Sequence, residues 1–295
     1  MIEPLHPDSI KELERAECPA TDNERQALVE EFGFSYHSAI GELLYAYIFC
    51  RPDKGYAMAE LSKFSQNPAR CHYIAVKRVF RYLWQRKNWG LIYWRKKPRV
   101  DLPFVPFTKQ SLEDSDLQFV EPEKYMQLNV YVDAAHVTDV KTRRSISGLV
   151  ATINGTTIAY RAKWQTTVAT SSTEAEFIAA VTAGKISKHL RFILDELGLK
   201  QSGPTAICED NSAAILMANA GKPTERSRHI DIQYFALQEW VKNDMVKLFH
   251  IPVVANPVDS MKKALGWVLH TRHVTRLMGL CGNSYTNTSG RLQNG

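Results

Sequence analysis

Two hydrophobic periods divide the chain. Through the first third, apolar residues return every three or four positions. "YHSAIGELLYAYIF" (Tyr36 to Phe49) has this spacing and predicts a helix, which "RPDKG" ends. A short helix is expected over Tyr56 to Phe64. In "NPARCHYIAVKRVFRYLWQRKN", Asn67 and Pro68 form a start signal, as N-cap and first helical residue. Val76, Val79, Phe80 and Leu83 fall at i, i+3, i+4 and i+7 and predict its buried stripe. "GLIYW" (Gly90 to Trp94) reads as a strand. From about Leu128 the period becomes two. "LNVYVDAAH" predicts a strand ending near Asp133. "SISGLVATI" and "TTIAYRAK" flank Asn154-Gly155, a strong hairpin signal.

A long helix is expected from about Ser172 to Leu197. Its predicted stripe is Ala175, Ile178, Ala179, Thr182, Ile186, Leu190, Ile193 and Leu197. "TAICED" is a fourth strand, "NSAAILMANA" and "IDIQYFALQEWVKND" are helices, and "VKLFHIPV" is a fifth strand. A last helix opens with Asn256 as N-cap and Pro257 at its first position. The first three strands form an antiparallel meander. The later ones return through helical crossovers, which favour parallel pairing. The expected fold is α/β: a mixed five-stranded sheet with helices on both faces, preceded by a small, mostly helical unit. The organisation reads as an N-terminal acidic segment (1–35), a helical unit (36–100), a linker (101–124), the α/β unit (125–280) and a polar, disordered tail (281–295).

Charge sharpens this picture. The 295 residues carry a net charge of +6, unevenly spread. Acids outnumber bases nine to three from Met1 to Glu31, whereas Arg70 to Arg99 holds ten Lys/Arg and no acid. A basic segment free of acids suits a nucleic-acid backbone. Lys77, Arg78 and Arg81 lie off the apolar stripe, where phosphates can be met. Arg143 and Arg144 fall between the first two strands, and Lys163-Trp164-Gln165 precedes the long helix, with Lys163 and Gln165 as candidate nucleic-acid contacts. Lys222, Arg226, Arg228 and His229 share a loop that can hold a phosphate. The same residues also read as solvated surface. Five scattered cysteines without a CxxC pair give no zinc-ribbon or redox motif. The longest apolar run contains Glu42 and is too short to span a bilayer. The expectation is an intracellular protein with no membrane partner.

Four acids sit at element ends: Asp133 and Asp210 on strands, Glu176 and Asp259 in the first turns of helices. α/β proteins gather their sites at such ends. Four converging carboxylates repel unless divalent cations compensate, and hard oxygen donors suit Mg²⁺ or Mn²⁺. Two such ions can activate water for phosphodiester hydrolysis. Each acid also has an ordinary reading, as a cap, a dipole partner or a turn residue. Glu174 and Glu176 compete for one role. Ser171 to Glu174 fits a capping box. The small column Ala180, Ala183, Gly184 and Ser187 lies on the Glu176 side. Thr173 to Glu176 has the same spacing, so capping alone does not decide; the small column favours Glu174 as the cap and Glu176 as the free acid.

The stretch from about Leu128 to Gly266 resembles the ribonuclease H domain of copia-type retrotransposon polyproteins. The resemblance is carried, in order, by "DVKTRRSISGLV", "KWQTTVATSSTEAEFIAA", "CEDNSAAI", "RSRHIDIQYF" and "NPVDSMKKALG". "YHSAIGELLYAYIFCRPDKGYAMAELSKFSQNPARCHYIAVKRVFRYL" looks like the thumb and connection end of the reverse transcriptase. The resemblance implies a ribonuclease H fold and hydrolysis of the RNA strand of RNA–DNA hybrids. Asp133, Glu176, Asp210 and Asp259 would then hold two Mg²⁺ or Mn²⁺ ions. The chain departs from the family at Ala135-His136, where Asp-Trp is common, and at Lys262-Lys263, where the family has Thr-Lys. No Tyr-X-Asp-Asp turn occurs, so no polymerase activity is expected. The remainder of a polyprotein is an expected partner. The resemblance also implies a place in cytoplasmic virus-like particles or the nucleus. A non-catalytic nucleic-acid-binding remnant is the rival reading, and an integrase of related fold is a third.

Overall fold

The computed structural model describes residues 2–93, 126–139, 141–219 and 231–279. Five strands form one sheet: β1 (Leu128–Ala135), β2 (Ile146–Ile153), β3 (Thr156–Trp164), β4 (Thr205–Glu209) and β5 (Val246–His250). Their order is β3-β2-β1-β4-β5. β1–β2 and β2–β3 pair antiparallel, while β1–β4 and β4–β5 pair parallel, as the connection lengths predict. The β2–β3 turn places Asn154 and Gly155 at φ 53° and 70°. Two consecutive left-handed residues match the twist of a hairpin, which is why Asn-Gly signals it. This mixed sheet with its helices is the ribonuclease H-like fold that the resemblance implies.

One face of the sheet is covered by α6 (Ser172–Glu196), with α7 (Ser212–Asn219) and α8 (Asp231–Lys242) beside it. Val130, Val132, Phe177, Ile207 and Leu237 are fully buried there. Each such side chain contributes roughly 1.5–3 kcal/mol. The other face carries Tyr131, Val150 and Cys208 against Val258, Met261 and Leu277. These partners belong to α9 (Asp259–Lys262), α10 (Trp267–Leu277) and the segment before α9.

The N-terminal helices lean on the same side. They are α1 (Ser9–Arg15), α2 (Asp22–Phe32), α3 (Tyr36–Phe49), α4 (Gly55–Leu61) and α5 (Arg70–Gln85). Their core of Tyr36, Leu43, Leu61, Val76 and Val79 continues into Ile146 of β2. The Trp164 indole N–H donates to the Ala59 carbonyl (3.0 Å), and Ala162 N–H donates to the Tyr47 hydroxyl (2.9 Å). A buried network reinforces the joint. Arg51 pairs with Asp53 (2.7 Å), Tyr82 donates to the same carboxylate (2.6 Å), and His270 Nε2 donates to the Asp53 carbonyl (3.0 Å).

Several local expectations need correction. The acidic segment contains two helices, α1 and α2. The latter is closed by a reciprocal Thr21–Glu24 capping box. α5 begins at Arg70, not Pro68, and His72 Nδ1 accepts from Ala69 N–H at its start. Asn67 instead donates to the Pro19 carbonyl. Phe80 is 36% exposed, while Tyr82 is fully buried because its hydroxyl is drawn to Asp53. Gly90–Tyr93 is not a strand, although Ile92 N–H donates to the Met278 carbonyl. Trp94 and the predicted linker and tail lie outside the described residues. Ile193 and Leu197 of the α6 stripe are exposed. At 1.5 Å per residue, α6 runs about 37 Å, longer than the roughly 27 Å of an eight-residue strand, so its end overhangs the sheet. The last helix is two helices, broken where Lys263 and Gly266 turn extended.

Candidate metal centre

The sheet register brings the acids together. Residues of β1 alternate faces, so Asp133 points away from the Val130 and Val132 side. It is fully buried, opposite Gly148 of β2. A Cβ at Gly148 would lie 2.3 Å from Val258 Cγ1 and 3.3 Å from Met261 Cβ. Only glycine lets the α9 segment approach this closely, and that approach sets Asp259 and Lys262 over Asp133. Asn256 fixes the same segment, donating from Nδ2 to the Val132 carbonyl (3.0 Å). It is not a helix cap, although its Oδ1 accepts from Val258 N–H (3.2 Å).

The two glutamates of α6 divide their roles as the sequence predicts. The Ser171 hydroxyl accepts from Glu174 N–H (3.1 Å), and Glu174 Oε2 turns back to accept from Thr170 N–H (2.7 Å). Glu176 turns toward β1, where its Oε2 accepts from Ala134 N–H (2.6 Å). β4 runs parallel to β1, so its end delivers Glu209 and Asp210 beside Asp133. The Glu209 Oε1 accepts from the backbone N–H of Asp210 (3.0 Å) and Asn211 (3.2 Å). His250 Nε2 donates to the Asp210 carbonyl (3.1 Å).

Asp133, Glu176, Glu209 and Asp210 each present an oxygen within 4.8 Å of the others. Asp133 Oδ2 and Glu209 Oε2 are buried without a hydrogen-bond partner. Orphaned carboxylate oxygens within an acidic cluster fit a hard divalent cation, since among the described residues only the Lys262 ammonium offers positive charge there.

The electrostatics agree. Burial, then Asp133 and Asp210 nearby, push the Glu176 carboxyl up to about 9, against the pull of Lys262. Burial pushes Asp133 up to about 6, with Lys262 opposing and Asp210 and Asp259 adding to the rise. Glu209, buried and facing Glu176 and Asp133, lies well above the carboxylate range.

Asp259 falls outside the four-residue group. It is buried, with Lys263 Nζ at 2.8 Å and Lys262 Nζ at 3.6 Å from one oxygen. His273 Nε2 lies 4.0 Å from the other; burial lowers this imidazole to about 4, so it is neutral at pH 7. Lys262 is itself buried and ion-pairs with Asp133. The charge of Lys262 is disfavoured by burial but held by Asp133, Asp210 and Glu176, leaving its pKa raised.

Sequence reasoning missed Glu209 and the reach of Lys262. Adjacent acids in "CED" at a strand end are the available signal: alternation turns one of them inward.

The predicted nucleic-acid contacts separate into four groups. Arg143, Arg144 and Lys163 are exposed. They flank the ends of β2 and β3 that adjoin the carboxylates, since Ser147 pairs with both Ala134 and Lys163. Gln165 is buried, and its Nε2 donates to Ser147 Oγ and the Ala175 carbonyl, both at 2.8 Å. That ties the β-hairpin to α6, and its amide faces protein rather than solvent. On α5, Arg81 is exposed, Arg78 pairs with Glu3 (2.6 Å), and Lys77 lies over the Phe32 ring (4.7 Å). Lys222, Arg226, Arg228 and His229 lie outside the described residues.

No protein-family model matches the chain. The Retrovirus-related Pol polyprotein from transposon TNT 1-94 of Nicotiana tabacum is 31% identical over 253 residues, covering 86% of this chain and 17% of that protein. The corresponding polyprotein from transposon RE1 of Arabidopsis thaliana is 26% identical over 78% of this chain and 14% of its own length. The chain thus spans about a sixth of these relatives. Secreted RxLR effector protein 161 of Plasmopara viticola is 35% identical over 144 residues, 49% of this chain and 82% of that protein. Among solved structures, LC11-RNase H1 in complex with an RNA/DNA hybrid aligns over 44% of this chain and 88% of that one, at 14% identity and a TM-score of 0.35. Most of the chain is thus similar to retrovirus-related Pol polyproteins of copia-type transposons.

Proposed function

We propose that this chain hydrolyses the RNA strand of RNA–DNA hybrids, leaving 3′-hydroxyl and 5′-phosphate ends. The reading is supported above all by the four carboxylates gathered within 4.8 Å, two of whose oxygens are buried and unpartnered. Asp133, Glu176, Glu209 and Asp210 would hold Mg²⁺ or Mn²⁺, with Asp259 behind Lys262. When bound, such an ion lowers the cost of deprotonating water and stabilises a leaving oxygen.

The chain's own groups orient the reaction. The Ala134 N–H fixes Glu176, and the backbone N–H of Asp210 and Asn211 fix Glu209. Arg143, Arg144 and Lys163 supply positive charge at the same end of the sheet, where a phosphate backbone can lie. The test is cleavage of a labelled hybrid by the purified chain with Mg²⁺. Cleavage that Asp210→Asn abolishes supports the reading. Hybrid binding without cleavage by the unaltered chain selects a non-catalytic binding protein, a reading favoured by the Lys262–Asp133 ion pair.

A further inference from the structure

We propose that the Lys262 ammonium occupies one of the two cation positions of this centre, so that the folded site takes a single divalent ion. The inference rests on the metal-dependent reading above and refines its stoichiometry. Lys262 lies one helical turn after Asp259 and is buried, with a side chain only 11% exposed. Its Nζ pairs with Asp133 Oδ1 and stands 3.6 Å from Asp259 Oδ1. It therefore bridges the same two carboxylates that a cation between β1 and α9 would bridge. Asp133 is left with one unpartnered oxygen, Oδ2, and Asp133 also presents an oxygen to Glu176, Glu209 and Asp210.

The two sides of Asp133 are thus chemically distinct. One is paired with a cation built into the chain, whose charge also reaches Asp210 and Glu176, and the other has no ion-pair partner among the described residues. Lys263 completes the separation, since its Nζ takes Asp259 Oδ1 at 2.8 Å from a half-exposed position. A second divalent ion near Asp259 would have to displace an ammonium already paired with Asp133. An ion among Asp133 Oδ2, Glu176, Glu209 and Asp210 would displace none. The close approach at Gly148 holds this arrangement, because it fixes the α9 backbone against β2.

Isothermal titration of the full chain with Mn²⁺ alone, without substrate, reads the stoichiometry directly. One Mn²⁺ per chain is expected for the unaltered protein. Two per chain, or a single site tightened at least ~10-fold, are expected for Lys262→Met. Lys262→Gln, which keeps a donor for Asp133 without the charge, should move the same way and guards against a folding defect. Circular dichroism of each metal-free variant checks the fold. Two Mn²⁺ per chain in the unaltered protein overturns the inference, as does unchanged stoichiometry and affinity in both variants. Loss of Mn²⁺ binding in Asp210→Asn keeps the metal-dependent reading standing even then. Absence of Mn²⁺ binding in every form removes that reading, and the inference with it.

Discussion

Metal-free protein should become less stable as pH rises from 7 to 8, opposite to the usual effect of paired carboxylates. Glu176 is raised from 4.5 to about 9 in the fold, chiefly by burial and then by Asp133. At pH 7 to 8 the native state keeps this proton and the unfolded chain has lost it. The native state then binds at least one proton more, so unfolding free energy falls by about 1.4 kcal/mol per pH unit. Glu209 is raised by burial and by Glu176 and Asp133, so it acts in the same direction. Competing groups offset part of this fall within the window. Buried His72, His270 and His273 are lowered, so their contribution still rises with pH above the unfolded histidine value near 6.5 and fades toward pH 8. Lys54, lowered to about 8 by burial, adds a rise that begins below pH 8. Urea denaturation followed by far-UV circular dichroism, with a chelator at pH 7 and pH 8, measures the slope. Excess Mg²⁺ should flatten it, because a bound cation holds the carboxylates ionised in the native state and stabilises by mass action. Glu176→Gln should reduce the metal-free slope by one proton. A flat or rising metal-free profile would refute the convergence of these carboxylates in a desolvated site.

Glu176→Gln should abolish hybrid cleavage, whereas Glu174→Gln should lower stability by only about 1 kcal/mol, the scale of a helix cap, in parallel assays of cleavage and melting. Gly148→Ala should destabilise by about 1–3 kcal/mol in urea denaturation, because its Cβ would meet Val258 Cγ1 at 2.3 Å. Unchanged stability would show that the segment yields freely. Asp53→Asn should destabilise by about 3–5 kcal/mol in urea denaturation, since it leaves the Arg51 guanidinium buried without its charge partner.

Most strands and helices were legible because their periods are local properties. β1 to β5 and α3 fall where alternation or helical spacing puts them, and Asn154-Gly155 marks its own turn. The misses share a different cause, since each depends on a partner distant in sequence. Tyr82 is buried rather than Phe80 because Asp53, 29 residues earlier, accepts its hydroxyl proton. α9 and α10 separate although the composition of the segment reads as one helix. Of the four predicted ligands, Asp133, Glu176 and Asp210 converge because strand ends and a helix start are local signals tied to a common topology. Asp259 falls outside the group: Lys263 pairs with it at 2.8 Å, and Lys262 crosses from α9 to Asp133 on β1, which depends on the length of one side chain. Glu209 was hidden by its neighbour: two adjacent acids gave no local reason to choose both.

The N-terminal helices belong in any account of the site, even though no residue of theirs is among the four clustered acids. The α9 segment carries Asp259 and Lys262, and its other side is pressed against the helical unit. A Cβ at Gly55 would lie 2.8 Å from Met261 Cε, so the start of α4 also packs closely on α9, though against the flexible end of a side chain. Ala264 joins the core formed by α3, α4 and α5, and His270 of α10 is tied to the Asp53 carbonyl. α9 is only four residues long, too short to hold its own geometry by helical hydrogen bonds. Its position is therefore set by what grips it: β2 through Gly148 on one side and α4 through Gly55 on the other. The distance between Lys262 and Asp133 is a property of that clamp, and the cation content of the centre follows from the joint between the two units.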